Sequence, residues 1–288
     1  MPRLVITEFM DESAVSRLAA KVPTLYQPDL VDRRDDLIGL LRDAEVLVVR
    51  NRTRVDTALL EAAPGLRVVG RLGVGLDNID LATCKARGIE VWPATGANDL
   101  AVAEYVIATA MILLRGAFQA SGCVLAGDWP RQNLIGRELS GRTMGLLGFG
   151  AIARQVARRA GALGMRVIAH DPHLDAGDPV WGDVRPVGLN RLLECAEVLS
   201  LHVPLTPQTQ HVIDAAALSH MQPGAVLINA ARGGVVDEAA LARALRDGAL
   251  AGAALDVFEV EPLPADLGAR FAGLPNIILT PHIAGVTR

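Results

Sequence analysis

The chain has 288 residues, 51% of them apolar and 21% charged, with a formal net charge of −4. That length predicts two domains with enough apolar residues for a core in each. The mild acidity gives no reason to expect nucleic acid or an anionic membrane as partner. Cys84, Cys123 and Cys195 are scattered with no C-x-x-C spacing, which argues against a disulfide framework and against a zinc site. The N-terminus reaches Glu8, Asp11 and Glu12 without a long apolar core, unlike a secretory signal. Residues 101–114 are apolar but hold Glu104 and are too few for a membrane span, so the expectation is a cytoplasmic protein.

In chain order, short apolar runs alternate with helical patterns. Residues 4–6, 46–49, 68–69 and 89–92 read as strands, and residues 13–20, 37–41 and 81–87 as helices. This alternation predicts an α/β domain with a parallel sheet over the first ninety-odd residues. Two loops after its strands stand out. Val49-Arg50-Asn51-Arg52-Thr53-Arg54 is basic, and its simplest reading is a solvated turn. Arg71-Leu72-Gly73-Val74-Gly75-Leu76-Asp77-Asn78-Ile79-Asp80 reads either as a nest of N–H groups for an anion or as a glycine turn ended by an Asp80 cap. A long helical pattern at 97–115 follows, with Asn98 or Asp99 as N-cap and an apolar surface suited to another subunit. Residues 127–141 read as irregular.

The stretch from Thr143 to Pro172 is the most informative. Met144–Leu147 reads as a strand, and Gly148, Gly150 and Ala153 form G-x-G-x-x-A. Ile152, Val156 and Ala160 then mark a helical face, Val167–Ala169 a second strand, and Asp171 closes the unit. Gly148 permits the tight turn, Gly150 a close approach of backbone to pyrophosphate, and Ala153 close packing of helix on strand. The helix start offers N–H groups to the phosphates. Asp171 lies 23 positions after Gly148, where a carboxylate accepts from ribose hydroxyls and repels a 2′-phosphate, which favours NAD over NADP. Further strands at 198–201, 225–228, 252–255 and 277–279 and a helix at 237–245 each follow. The loops after three of these strands carry Arg232, Glu261 and His282, a coherent set for hydride transfer.

RLGVGLDNID, GANDLAVAEYVIA, GRELSGRTMGLLGFGAIA, LHVPLTPQTQHVI, NAARGGVVDEAAL, ALDVFEVEP and TPHIAG together resemble the D-isomer-specific 2-hydroxyacid dehydrogenase family, which includes D-3-phosphoglycerate dehydrogenase. The resemblance implies two Rossmann-like/flavodoxin-like α/β domains with parallel sheets, and an active site in the cleft between them. It implies a substrate-binding domain at 1–97 and an NAD-binding domain at 98–281, hinged near Ala97 and Pro281. It places catalysis on Arg232, Glu261 and His282. His282 takes the hydroxyl proton, Glu261 holds the other ring nitrogen, and Arg232 grips the carboxylate. It places cofactor contacts on Gly148, Gly150, Ala151, Ile152, Asp171, His202, Val203, Pro204, Thr209, Ala230, Arg232, Asp256 and His282, with Asp256 on the nicotinamide amide. Substrate contacts fall on Arg50, Arg52, Leu72, Gly73, Val74, Gly75, Asn98, Arg232 and His282. A homodimer is implied, and no metal is expected; the appended regulatory domain that some phosphoglycerate dehydrogenases carry is not expected in this sequence. Family members continue past TPHIAG into a helix that completes the first domain; that helix is absent or lies beyond the sequence given.

Phosphoglycerate dehydrogenases place a phosphate-binding arginine at the position of Arg50. VITEFMDE and VRNRT also resemble sulfolactate dehydrogenases. Both similarities imply a 2-hydroxy acid with a second anion, such as sulfolactate or 3-phosphoglycerate. The alternatives are a simple acid, such as glycerate, glyoxylate, hydroxypyruvate or lactate, with the basic loop in solvent, and an NAD(H)-sensing co-repressor on the same fold.

Overall fold

A computed structural model describes residues 2–116 and 120–287. The chain divides into two compact units, Met1–Ala97 and Asn98–Arg288.

The first unit runs β1 (Leu4–Ile6), α1 (Glu12–Ala19), β2 (Thr24–Tyr26), α2 (Arg34–Leu41), β3 (Val46–Val49), α3 (Thr57–Glu61), β4 (Val68–Arg71), α4 (Leu81–Ala86) and β5 (Glu90–Pro93). Its strands are all parallel, in the order β2-β1-β3-β4-β5. The apolar runs reflect burial on both faces. Val5, Leu47 and Val49 face Leu37, Leu41, Leu59 and Leu60, while Leu4, Ile6 and Val48 face Val15 and Leu18. The strand order reverses between β1 and β3, so the loops after these strands flank a crevice of the kind that binds ligands in open α/β sheets.

The second unit begins with α5 (Asp99–Arg115) and α6 (Ala120–Leu125). It continues β6 (Thr143–Leu147), α7 (Ala151–Ala162), β7 (Arg166–His170), β8 (Arg185–Pro186), α8 (Leu189–Cys195), β9 (Val198–Leu201), α9 (Ala215–His220), β10 (Val226–Asn229), α10 (Glu238–Arg246), β11 (Gly252–Leu255), α11 (Ala265–Gly268) and β12 (Ile277–Leu279). Seven parallel strands lie in the order β12-β11-β10-β9-β6-β7-β8. Alternate strand residues divide between two cores. Leu199, Leu227 and Leu255 pack with Leu192, Leu218 and Leu241, and Val198, Val226 and Ile228 pack with Val106, Ala110 and Val156. Ala153 and Ala160 are fully buried where α7 meets the sheet, while Ile152 is only half-buried. The order reverses between β6 and β9, which puts the glycine turn after β6 at this sheet's own crevice. Among the described residues no helix is long and apolar enough to cross a membrane.

Candidate active site

In the second unit, Gly148 has φ +88°, and a Cβ there would stand 2.6 Å from the His202 carbonyl oxygen. Gly150 differs. Its φ is −72°, it occupies the N-cap of α7, and a Cβ there would meet nothing within 4 Å. Protein packing therefore gives no reason for a glycine at 150, whereas a pyrophosphate lying against the backbone does. Ala151 and Ile152 open α7, whose first N–H groups face out from the helix end with no side-chain cap. Asp171 follows β7, and its Oδ2 accepts the Phe149 N–H at 2.9 Å while Oδ1 accepts that of His173 at 3.0 Å. The carboxylate braces the glycine turn and keeps lone pairs for ribose hydroxyls. These residues fit a dinucleotide.

His202 follows β9, with its N–H on the Leu147 carbonyl and its Nε2 3.0 Å from Ser200 Oγ. Desolvation lowers its pKa to about 4, so its ring is neutral at pH 7. Val203 and Pro204 continue this loop. The Thr209 hydroxyl turns inward, donating to the Pro204 carbonyl at 2.6 Å and accepting the Thr206 N–H at 2.7 Å, so its present work is to hold the loop.

Three further loops carry the catalytic candidates. After β10, the buried Asn229 side chain accepts the Ala231 N–H and donates to the Arg232 carbonyl, which folds residues 229–232, Ala230 included, into a compact turn. Gly233 then passes so close to the next loop that a Cβ would lie 1.7 Å from the Phe258 oxygen. Glu261 donates no proton here. Its Oε1 accepts the Phe258 N–H at 3.0 Å and its Oε2 accepts from His282 Nδ1 at 2.7 Å. Burial would raise the Glu261 pKa, but the His282 hydrogen bond and charge, the Phe258 N–H and the Arg232 charge outweigh it and hold the pKa below the ordinary value. Because the folded pKa is depressed, the stability this group contributes is present above the ordinary carboxylate pKa, about 4.3, and is lost only as pH falls through the lower folded value.

His282 has φ +56°, a left-handed backbone that a side chain of this kind rarely adopts. Asp256 enforces it. This residue is 1% exposed, and its Oδ1 accepts from Thr280 Oγ1 at 2.6 Å and from the Ile283 N–H at 2.8 Å. Its Oδ2 accepts the Ala284 N–H at 2.8 Å, and its carbonyl accepts the His282 N–H. The Thr280 hydroxyl has one proton and gives it to Asp256, so Tyr105, 2.6 Å away, is the donor to Thr280. Burial pushes the Tyr105 pKa up to about 12, which keeps that proton in place. The observed work of the Asp256 carboxylate is thus to hold the histidine loop. The bracing role carries no local sequence signal, because the loop it holds returns from 24 or more residues downstream. Asn98 occupies the N-cap of α5 without capping it, and its amide lies against Gly285.

In the first unit, the glycine loop after β4 differs from the sequence expectation at Gly73. Its N–H turns back onto the Arg71 carbonyl at 2.8 Å, so it is unavailable to an anion. The Leu72 carbonyl likewise accepts from Arg71. Among the described residues the N–H groups of Val74 and Gly75 meet no acceptor. Asp80 does cap α4; the Thr83 N–H, the Thr83 hydroxyl and the Thr57 hydroxyl lower its pKa to about 2. In the basic loop Arg52 pairs with Asp32. The Arg50 guanidinium lies over the Phe9 ring, 5.9 Å from its centroid, and meets no carboxylate among the described residues.

The chain matches two family models: the D-isomer specific 2-hydroxyacid dehydrogenase, catalytic domain, over residues 4–127, and the NAD binding domain of the same family over 107–284. It is 54% identical over 288 residues to the (S)-sulfolactate dehydrogenase of Chromohalobacter salexigens, covering 100% of this chain and 93% of that one. It is 36% identical to the hydroxypyruvate reductase of Thermotoga maritima, covering 99% and 92% of the two chains. Its fold is similar to that of the Aquifex aeolicus D-lactate dehydrogenase complexed with NAD and lactic acid, with a TM-score of 0.86, 29% identity and 99% and 89% coverage. The chain belongs to the D-isomer specific 2-hydroxyacid dehydrogenase family and is an NAD-dependent enzyme of that family.

Proposed function

We propose that the protein oxidises the C2 hydroxyl of a 2-hydroxy acid that bears a second anion, with (S)-sulfolactate as the best candidate, and that Arg232, Glu261 and His282 carry the chemistry. The observation that supports the catalytic roles most strongly is the 2.7 Å bond from His282 Nδ1 to Glu261 Oε2. It fixes the tautomer, directs Nε2 to the substrate hydroxyl, and stabilises the ring once it has taken the proton. Arg232, planar and permanently charged, suits the C1 carboxylate and the C2 oxygen. Bound NAD supplies the hydride acceptor; the Gly148–Gly150 turn, the start of α7 and Asp171 would hold it.

The second anion is supported by Arg50, whose guanidinium meets no carboxylate among the described residues, and by the likeness to an (S)-sulfolactate dehydrogenase. A monoanionic acid is the second reading, favoured by the likeness to a hydroxypyruvate reductase. For self-association we assign the apolar surface of Val124, Leu125, Trp129 and Ile135, which are 47%, 88%, 73% and 75% exposed, as the contact of a homodimer. The cytoplasm is the proposed compartment.

Initial rates of NADH formation across both enantiomers of sulfolactate, D-3-phosphoglycerate, D-glycerate and D-lactate, with NAD and NADP compared, test the substrate reading. One dianionic acid should exceed D-lactate in kcat/KM by two orders of magnitude or so, since a charge-assisted contact contributes about 1.5–3 kcal/mol. NAD should serve far better than NADP. Equal or better turnover of D-lactate or D-glycerate would return the Arg50 loop to solvent.

A further inference from the structure

We propose that Glu8 and Asn78 form a frame that sets the position of Arg50 relative to the Val74 and Gly75 amides, and so selects substrates by the spacing of their two anions. This rests on the dianionic reading above, and it concerns two residues that carry neither substrate nor cofactor themselves.

Glu8 lies two residues past the end of β1, one of the two strands between which the first sheet reverses order. It is 5% exposed, and such a carboxylate stays buried only when hydrogen-bonded. Its Oε1 accepts the N–H of Arg50 at 2.8 Å and of Thr53 at 2.9 Å, and its Oε2 accepts the N–H of Arg52 at 3.1 Å. The neighbouring Thr7 and Thr53 hydroxyls, both buried, bond to each other at 2.8 Å and tie the same loop to β1. Three backbone donors converging on one point are what an anion-binding nest requires. Here the nest is filled from within by Glu8. The loop therefore has no amide cluster left for a substrate anion, and its recognition falls to the Arg50 side chain.

Asn78 grips the loop from the other side. Its Nδ2 donates to the Arg50 carbonyl at 2.9 Å and to the Thr53 carbonyl at 2.7 Å. Its own carbonyl accepts the Val55 N–H at 2.8 Å, and the Asp80 N–H returns to the Val55 carbonyl at 2.8 Å. Asn78 lies three positions beyond Gly75 in the same loop. One side chain thus joins the loop that presents the Val74 and Gly75 amides to the loop that presents Arg50. The N–H groups of Arg50, Arg52 and Thr53 are held by Glu8 and the carbonyls of Arg50 and Thr53 by Asn78, so neither loop slides without breaking both sets of bonds. Arg52, drawn to Asp32 on the exposed side, leaves Arg50 as the cation this frame delivers.

The test uses the full chain with Glu8→Gln, Asn78→Ala and Arg50→Ala, assayed at saturating NAD on sulfolactate, D-3-phosphoglycerate and D-lactate, with each Tm recorded. Glutamine keeps an acceptor for Arg50 and Thr53 but turns an N–H₂ toward the Arg52 N–H, so it loosens the loop without emptying the pocket. Both frame variants should raise KM for the preferred dianion about tenfold or more with kcat changed less than about threefold. They should also move the ratio of kcat/KM between the two dianions toward one, because the sulfonate and the longer phosphate ester no longer meet a fixed spacing. If kcat falls equally on all three acids, or the ratio between dianions holds, the frame is only structural and the proposal fails. In that case a selective loss in Arg50→Ala would leave the dianionic reading standing. If the wild type shows no dianion preference and Arg50→Ala changes nothing, the substrate reading fails first and the frame proposal falls with it.

Discussion

Replacing His282 with alanine lowers kcat by about 10²–10⁴-fold and leaves the dissociation constant for NADH within roughly one order of magnitude, since general acid–base catalysis by one side chain contributes on that scale. The ring is 32% exposed on its loop and hydrogen-bonds Glu261 at 2.7 Å, so its removal should cost little stability compared with a core substitution. Kinetics and fold are then separable: the variant keeps its Tm while turnover disappears. Glu261→Gln is the graded companion. An amide oxygen still accepts from Nδ1, but the charge that stabilises the protonated ring is gone, so activity falls less than with His282→Ala. Titration of NADH fluorescence and steady-state rates on the same preparations decide the matter. Near-normal turnover in His282→Ala would remove this residue from the mechanism.

Asp256→Ala should be the most damaging substitution to the fold of the second unit. Its carboxylate satisfies the Thr280 hydroxyl and the N–H groups of Ile283 and Ala284, and only 1% of the residue is exposed. Leaving buried donors without a partner costs about 1–3 kcal/mol each, and water entering the gap recovers part of that. A net loss of about 3–5 kcal/mol is expected, which for a domain of this size lowers Tm by roughly 10 °C. Activity should fall as well, because the carboxylate holds Thr280, Ile283 and Ala284 on both sides of His282. Tyr105→Phe removes only the hydroxyl that donates to Thr280, and a decrease near 1 kcal/mol is expected. Calorimetric unfolding of the variants measures both. A wild-type Tm in Asp256→Ala would show that the histidine loop is held by other contacts.

How much of this was legible before the structure depends on the range of the interaction. The β6–α7–β7 unit could be read because its signals are local: an apolar run, two glycines, a helical face and an acid in succession. The buried strands could be read because both faces are covered, so VLVV and the VLI of Val226–Ile228 are continuous apolar runs. β2 was not legible; Thr24–Tyr26 is half-buried at a sheet edge and mixes polar with apolar residues. α3 and α9, of five and six residues, are too short to show a period. Within the site, residue types at strand ends pointed to Arg232, Glu261 and His282. What holds them did not show, because Glu8 meets its partners 42 to 45 positions away and Asn78 meets its own 25 to 28 away. Such partners are set by strand order, and neither composition nor spacing carries that information. The Gly73 N–H was illegible for the opposite reason: a turn only two residues wide engages it.

The central claim is that this dehydrogenase recognises a substrate by two anions, the second through Arg50. The measurement that addresses it most directly is the ratio of kcat/KM for (S)-sulfolactate to that for D-lactate, which lacks the sulfonate, in the wild type and in Arg50→Ala. A wild-type ratio of about 10² or more is expected, with a fall of at least about tenfold in the variant, the loss of one charge-assisted contact. A wild-type ratio near one, or a ratio unchanged by Arg50→Ala, would contradict it.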